Sequence, residues 1–170
     1  LLAQLLPDDV PFGTVSTVPG AFKPRVRESR EQEAMARTLV AHASCLVDIE
    51  RTNGKQIVLA LEPEPCCFLE TSAEAVAFFE RWLFGREAQQ WLAKRSGVEL
   101  AVAEGLLRRH IGICYDACHL AIEHEQSRDA WSAFERAGID VPKVQVSAGL
   151  ELPATASKPS SSAVISRAIG

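Results

Sequence analysis

The runs Ile57-Val58-Leu59-Ala60-Leu61 and Ile111-Gly112-Ile113-Cys114-Tyr115 constrain this chain more than any other feature. Both are apolar without interruption and too short for a core helix. A strand with one wet face alternates polar and apolar residues, whereas a strand covered on both faces does not. Both runs therefore read as strands buried on two sides. The first ends at Glu62-Pro63-Glu64-Pro65, where proline removes the ladder donors. The second ends at Asp116-Ala117-Cys118-His119.

Amphipathic segments separate these strands. From Glu28 to Arg51, apolar residues recur at three- and four-residue steps, as a helix with one buried stripe requires, and Asn53-Gly54 is a helix stop. Thr71-Ser72-Ala73-Glu74 has capping-box spacing and opens a helix expected to run to Phe84. Further helices are expected over 87–94, 98–109 and 125–137. Phe12 to Thr17 and Pro142 to Ser147 read as the outer strands. Strand and helix thus alternate, which predicts an α/β fold of parallel βα units. Such units build an open doubly wound sheet or a closed barrel. No glycine-rich phosphate loop follows any strand, so the dinucleotide-binding variant lacks its main signal. A complete (β/α)8 barrel takes about 250 residues. A chain of 170 residues is thus expected to form a partial one over residues 1–152, with the Ser/Pro/Ala-rich stretch 153–170 as a loop or disordered tail. Leu1-Leu2-Ala3-Gln4-Leu5-Leu6 opens without Met or a helix N-cap, so the chain reads as an internal piece of a larger one.

The net charge of −4 supplies no basic face, so a nucleic-acid partner is not expected. No apolar run approaches the roughly 20 residues that span a bilayer. The five cysteines are odd in number and sit in apolar contexts, which favours reduced thiols and a cytoplasmic location. The partner class that remains is a small molecule. Open sheet edges would also favour association into homo-oligomers.

In a parallel barrel the C-terminal strand ends face a common mouth where chemistry is done. That rule nominates Thr17, Glu62, Asp116 and Ser147, with Glu64 and His119 just beyond. Carboxylates from two strands with an imidazole nearby make a ligand set for a divalent cation: Mn or Zn, with Mg also compatible. Each residue also has a purely structural reading. Glu62 and Glu64 flank prolines in a turn, and Asp116 is a favoured helix N-cap. His110 lies at the opposite pole and reads as structural, as do His42, His124, Trp82 and Trp91. Cys118 is a soft ligand or, more simply, a buried small residue. Lys23, in the loop after the first strand, is placed to meet an anionic substrate group.

Gly112-Ile113-Cys114-Tyr115-Asp116-Ala117-Cys118-His119 resembles the Asp-x-x-His strand exit of the xylose isomerase-like TIM barrels, a superfamily of sugar phosphate isomerases and epimerases that includes endonuclease IV. Leu59-Ala60-Leu61-Glu62-Pro63 resembles that group's preceding metal-ligand strand. Together with Thr14 to Gly20 and Lys143 to Ala148, these segments are similar to the EboE family of bacterial metabolite traffic proteins. The resemblance implies a metal held by Glu62 and Asp116, with His119 on the substrate or a second metal. It also implies a sugar, polyol or related metabolite as the partner; in an isomerase of that kind His119 and Glu64 would be catalytic, and Lys23, Gln145 and Ser147 would meet the substrate. Gln145 stands where the superfamily places a His. Three functions follow as expectations: a metal-dependent isomerase or epimerase, a non-catalytic metabolite-binding or traffic protein, and an abasic-site nuclease.

Overall fold

A computed structural model describes residues 1–18 and 20–148. The expected tail over 153–170 lies outside them. A four-residue helix, α1 (Leu2–Leu5), precedes the first strand, β1 (Phe12–Thr17). The chain continues through α2 (Ser29–Asn53), β2 (Gln56–Leu61), α3 (Ser72–Phe78), α4 (Arg86–Ser96) and α5 (Leu100–His110). It ends with β3 (Ile111–Asp116), α6 (Ala117–Ile122), α7 (Ser127–Arg136) and β4 (Lys143–Gln145).

The strands form one sheet in the order β1-β2-β3-β4, and every pair is parallel. The order equals the chain order, so no strand crosses over another. A doubly wound sheet reverses direction at a switch point, and this sheet has none. The sheet is also curved. Lys143 on β4 donates from Nζ to Ser16 Oγ on β1 at 2.6 Å, although two strands lie between them. Adjacent strands sit about 4.8 Å apart, so a flat sheet would hold β1 and β4 roughly 14 Å apart. The four strands therefore form a half-barrel arc with Lys143 reaching across its hollow.

The local signals explain where the helices begin and end. Thr71 accepts from Glu74 N and the Glu74 side chain returns to the Thr71 backbone, closing the capping box. Glu28 and Glu31 make the same reciprocal pair at the start of α2. Gly54 ends α2 in the left-handed region at φ 68°, where a Cβ would be strained. All six residues of β3 are buried, and β2 is nearly so, which accounts for the lack of alternation in both. The core lies between this sheet and its helices. Phe79, Leu83, Leu92, Leu107, Ile111, Ile113 and Phe134 are among its fully covered members.

Several boundaries differ from those the sequence predicts. The helix expected over 98–109 spans Leu100–His110, so His110 closes α5. It is wholly buried, with Nδ1 2.9 Å from Ile57 O and Nε2 3.1 Å from Glu50 Oε2, a structural post at the N-terminal end of the sheet. The expected strand from Pro142 to Ser147 holds ladder pairing only over Lys143–Gln145, and Val144 and Val146 beside it are exposed. The helix expected to reach Phe84 breaks instead into a π-helical turn over Phe79–Leu83. Among the described residues, no helix is long and apolar enough to cross a membrane.

Candidate metal centre

Strand alternation decides which side chains face the hollow of the arc. In register, Ser16 pairs with Ala60 and Cys114 with Lys143. Ser16, Lys143 and Gln145 therefore share the concave face with Cys114 and Asp116, and Glu62, one residue past β2, follows the same parity. The two carboxylates that end the buried strands thus meet at one end of one face.

Gln145 joins them. Its Nε2 donates to Glu62 Oε1 at 2.8 Å and to Asp116 Oδ2 at 2.6 Å. The other oxygen of Asp116 accepts from Ser147 Oγ at 2.5 Å and from Cys118 N at 2.9 Å. His119 N lies 3.4 Å from that oxygen, so Asp116 also caps α6. Burial pushes the Asp116 carboxyl up, but the hydrogen bonds from Ser147, Cys118 and Gln145 outweigh it and hold the group well below the usual aspartate range. It is a fixed carboxylate. Beneath it, the Cys114 thiol is pushed up to about 12, by burial first and then by the Glu62 carboxylate.

His119 completes the group. Its Nδ1 is buried, stands 3.5 Å from Glu62 Oε1, and finds no hydrogen-bond partner among the described residues. A buried polar atom left without a partner costs free energy unless something else satisfies it. Glu62, Glu64 and His119 place ligand atoms within 4.8 Å of one another, as do Asp116, Cys118 and His119. Glu64 also accepts from Cys67 Sγ at 3.0 Å. These groups could hold a metal ion.

The structure thus brings together Glu62, Asp116, His119, Gln145 and Ser147, with Glu64 beside them. Lys23 is engaged elsewhere. Its ammonium lies 2.5 Å from Glu70 Oε2 and 2.6 Å from Glu74 Oε1, and these contacts outweigh burial to raise its pKa. Sequence reasoning passed over Lys143, whose place on the concave face follows from its sitting two residues before Gln145. Compared with known proteins, the chain matches no family model, no curated protein and no solved structure.

Proposed function

We propose that this chain is part of a xylose isomerase-like (β/α)8 barrel that holds a divalent metal at Glu62, Asp116 and His119 and acts as a sugar or sugar phosphate isomerase or epimerase in bacterial metabolism. The observation that carries this reading is the meeting of two strand-end carboxylates with a buried, unpartnered imidazole nitrogen. A metal bound there would polarise a hydroxyl and an adjacent carbonyl of the substrate. The residues of the chain divide the remaining work. Asp116, fixed by four donors, stays anionic and acts as a ligand rather than as a base. In this reading His119 orients a substrate hydroxyl, and Glu64, near both Glu62 and His119, takes and returns a proton. Ser147 and Gln145 meet the polar groups of a polyol.

Gln145 favours a second reading, a metabolite-binding or traffic role without turnover. An amide nitrogen between two carboxylates already balances them partly, and its oxygen is a weaker ligand than the imidazole the superfamily carries there. The abasic-site nuclease is disfavoured by a ligand set short of histidines and by the acidic net charge.

Metal analysis of the purified protein tests the site. Stoichiometric Mn or Zn is expected, and it should be lost in Glu62→Gln and in Asp116→Asn. Full occupancy in the double variant would refute the assignment. A screen of ketose and aldose phosphates then separates the two roles: turnover supports the isomerase, whereas binding without turnover supports the traffic protein.

A further inference from the structure

A cavity of about 400 Å³ opens between the loops that follow β1 and β2, the start of α2 and the far end of α3. That is within the volume range of small-molecule sites. Its apolar wall is Phe68, Phe78 and Trp82, with Phe68 and Phe78 edge to face at 5.7 Å. Its polar groups are not equivalent. Trp82 Nε1 is already satisfied by Gln32 Oε1 at 3.1 Å. Lys23 is more than neutralised, its single charge facing the two carboxylates of Glu70 and Glu74, the second of which also lines the cavity. Arg81 is different: among the described residues no carboxylate lies within ion-pairing distance of it, and its guanidinium sits 4.8 Å from the Trp82 ring.

The backbone that delivers Arg81 and Trp82 is itself unusual. Phe84 N bonds Phe79 O at 2.8 Å, a five-residue closure. Phe78, Phe79, Trp82, Leu83 and Phe84 are all buried around it. It also brings Arg81 O so close to Gly85 that a Cβ there would stand 2.8 Å from it. Wide closures of this kind occur at helix C-termini, as here before Gly85. This one lines a cavity.

We infer that this cavity is a binding site for a small aromatic carboxylate, whose ring lies against Phe68, Phe78 and Trp82 and whose anion pairs with Arg81. The guanidinium fork matches a carboxylate in two places at once, and the aromatic wall takes a planar ring at low entropic cost. None of the proposed metal ligands lines the cavity.

Calorimetric titration with 2-naphthoate and with its uncharged analogue 2-naphthamide tests the inference on the intact protein. The naphthoate is expected to bind at least tenfold more tightly than the amide, and the Arg81→Gln variant is expected to remove that preference. Because Arg81 is exposed, this variant keeps the fold, which a thermal melt checks. Ala77→Leu, at the cavity rim, is expected to weaken both ligands alike. The indole N–H resonance of Trp82 should shift on binding in the parent protein. Equal affinity for acid and amide, an undiminished preference in Arg81→Gln, or no binding at millimolar ligand would each overturn the site.

Discussion

Gln145 Nε2 lies 2.6 Å from Asp116 Oδ2 and spans from there to Glu62. An amide donor thus occupies the gap between two carboxylates that a cation would otherwise bridge. Replacing it with an imidazole removes this internal competitor and adds a better ligand. Gln145→His is expected to tighten Zn or Mn binding by roughly tenfold or more, about 1.4 kcal/mol. Competition against a chelating dye measures it; unchanged or weaker affinity would remove Gln145 from the ligand shell.

The depressed Asp116 carboxyl has a stability consequence of definite sign. Its folded-state pKa lies below the unfolded value, so its contribution is fully present above about pH 4 and is lost as pH falls further. Asp116→Asn should flatten the acid limb of a denaturation curve measured from pH 6 downward. A steep acid limb that survives in the variant would assign acid sensitivity to other groups.

The five cysteines should separate by reactivity. Cys45 and Cys66 are exposed, whereas Cys114 and Cys67 have thiols pushed up to about 12, each by burial and a neighbouring glutamate. Since the thiolate is the nucleophile, a chromogenic disulfide at pH 8 should label Cys45 and Cys66 first. Cys114 should react only on unfolding. Peptide mapping after a short pulse reads this directly.

Gly112 tests the packing of β3 on the segment before β4. A Cβ there would stand 2.7 Å from Asp140 O and 2.7 Å from Pro142 Cδ. Neither a backbone carbonyl nor a proline ring can yield cheaply, so Gly112→Ala is expected to cost about 1–3 kcal/mol, read as a lowered urea midpoint. Gly105, with open space around its Cβ position, provides the control: Gly105→Ala in the middle of α5 should stabilise by up to about 1 kcal/mol.

The sheet has two free edges in the described chain, and exposed Phe12, Val15, Val144 and Val146 sit on or beside them. Unpaired edges recruit other strands. The 170-residue chain is expected to associate in a concentration-dependent way, as light scattering after size exclusion would show. A monodisperse monomer at all concentrations would mean that the edges are protected.

Much of the architecture could be read from residues whose burial is symmetrical. Ile57 to Leu61 and Ile111 to Tyr115 announce themselves because both faces are covered, and Thr71 with Glu74 marks a helix start through a purely local contact. Strand parity then brings Glu62, Asp116 and Gln145 together with no further information. Long-range partners were not legible in this way. Lys23 meets Glu70 and Glu74 across 47 and 51 residues, so its pairing depends on how two loops fold back. Six-residue α6 carries too little of a helical period to register. The π turn at Phe79–Leu83 arises from the packing of several large side chains, which no local spacing encodes. Val144 and Val146 suggest a longer strand because apolar character alone does not say what covers it.

The Lys143–Ser16 bond joins positions 127 residues apart in the chain. Closure entropy grows only logarithmically with loop length, so that separation adds little over a shorter loop. What it does decide is composition: β4 carries Gln145 and leads to Ser147, the residues that tie Glu62 and Asp116 together. A chain with its helices formed but β4 undocked would have the carboxylates without the site.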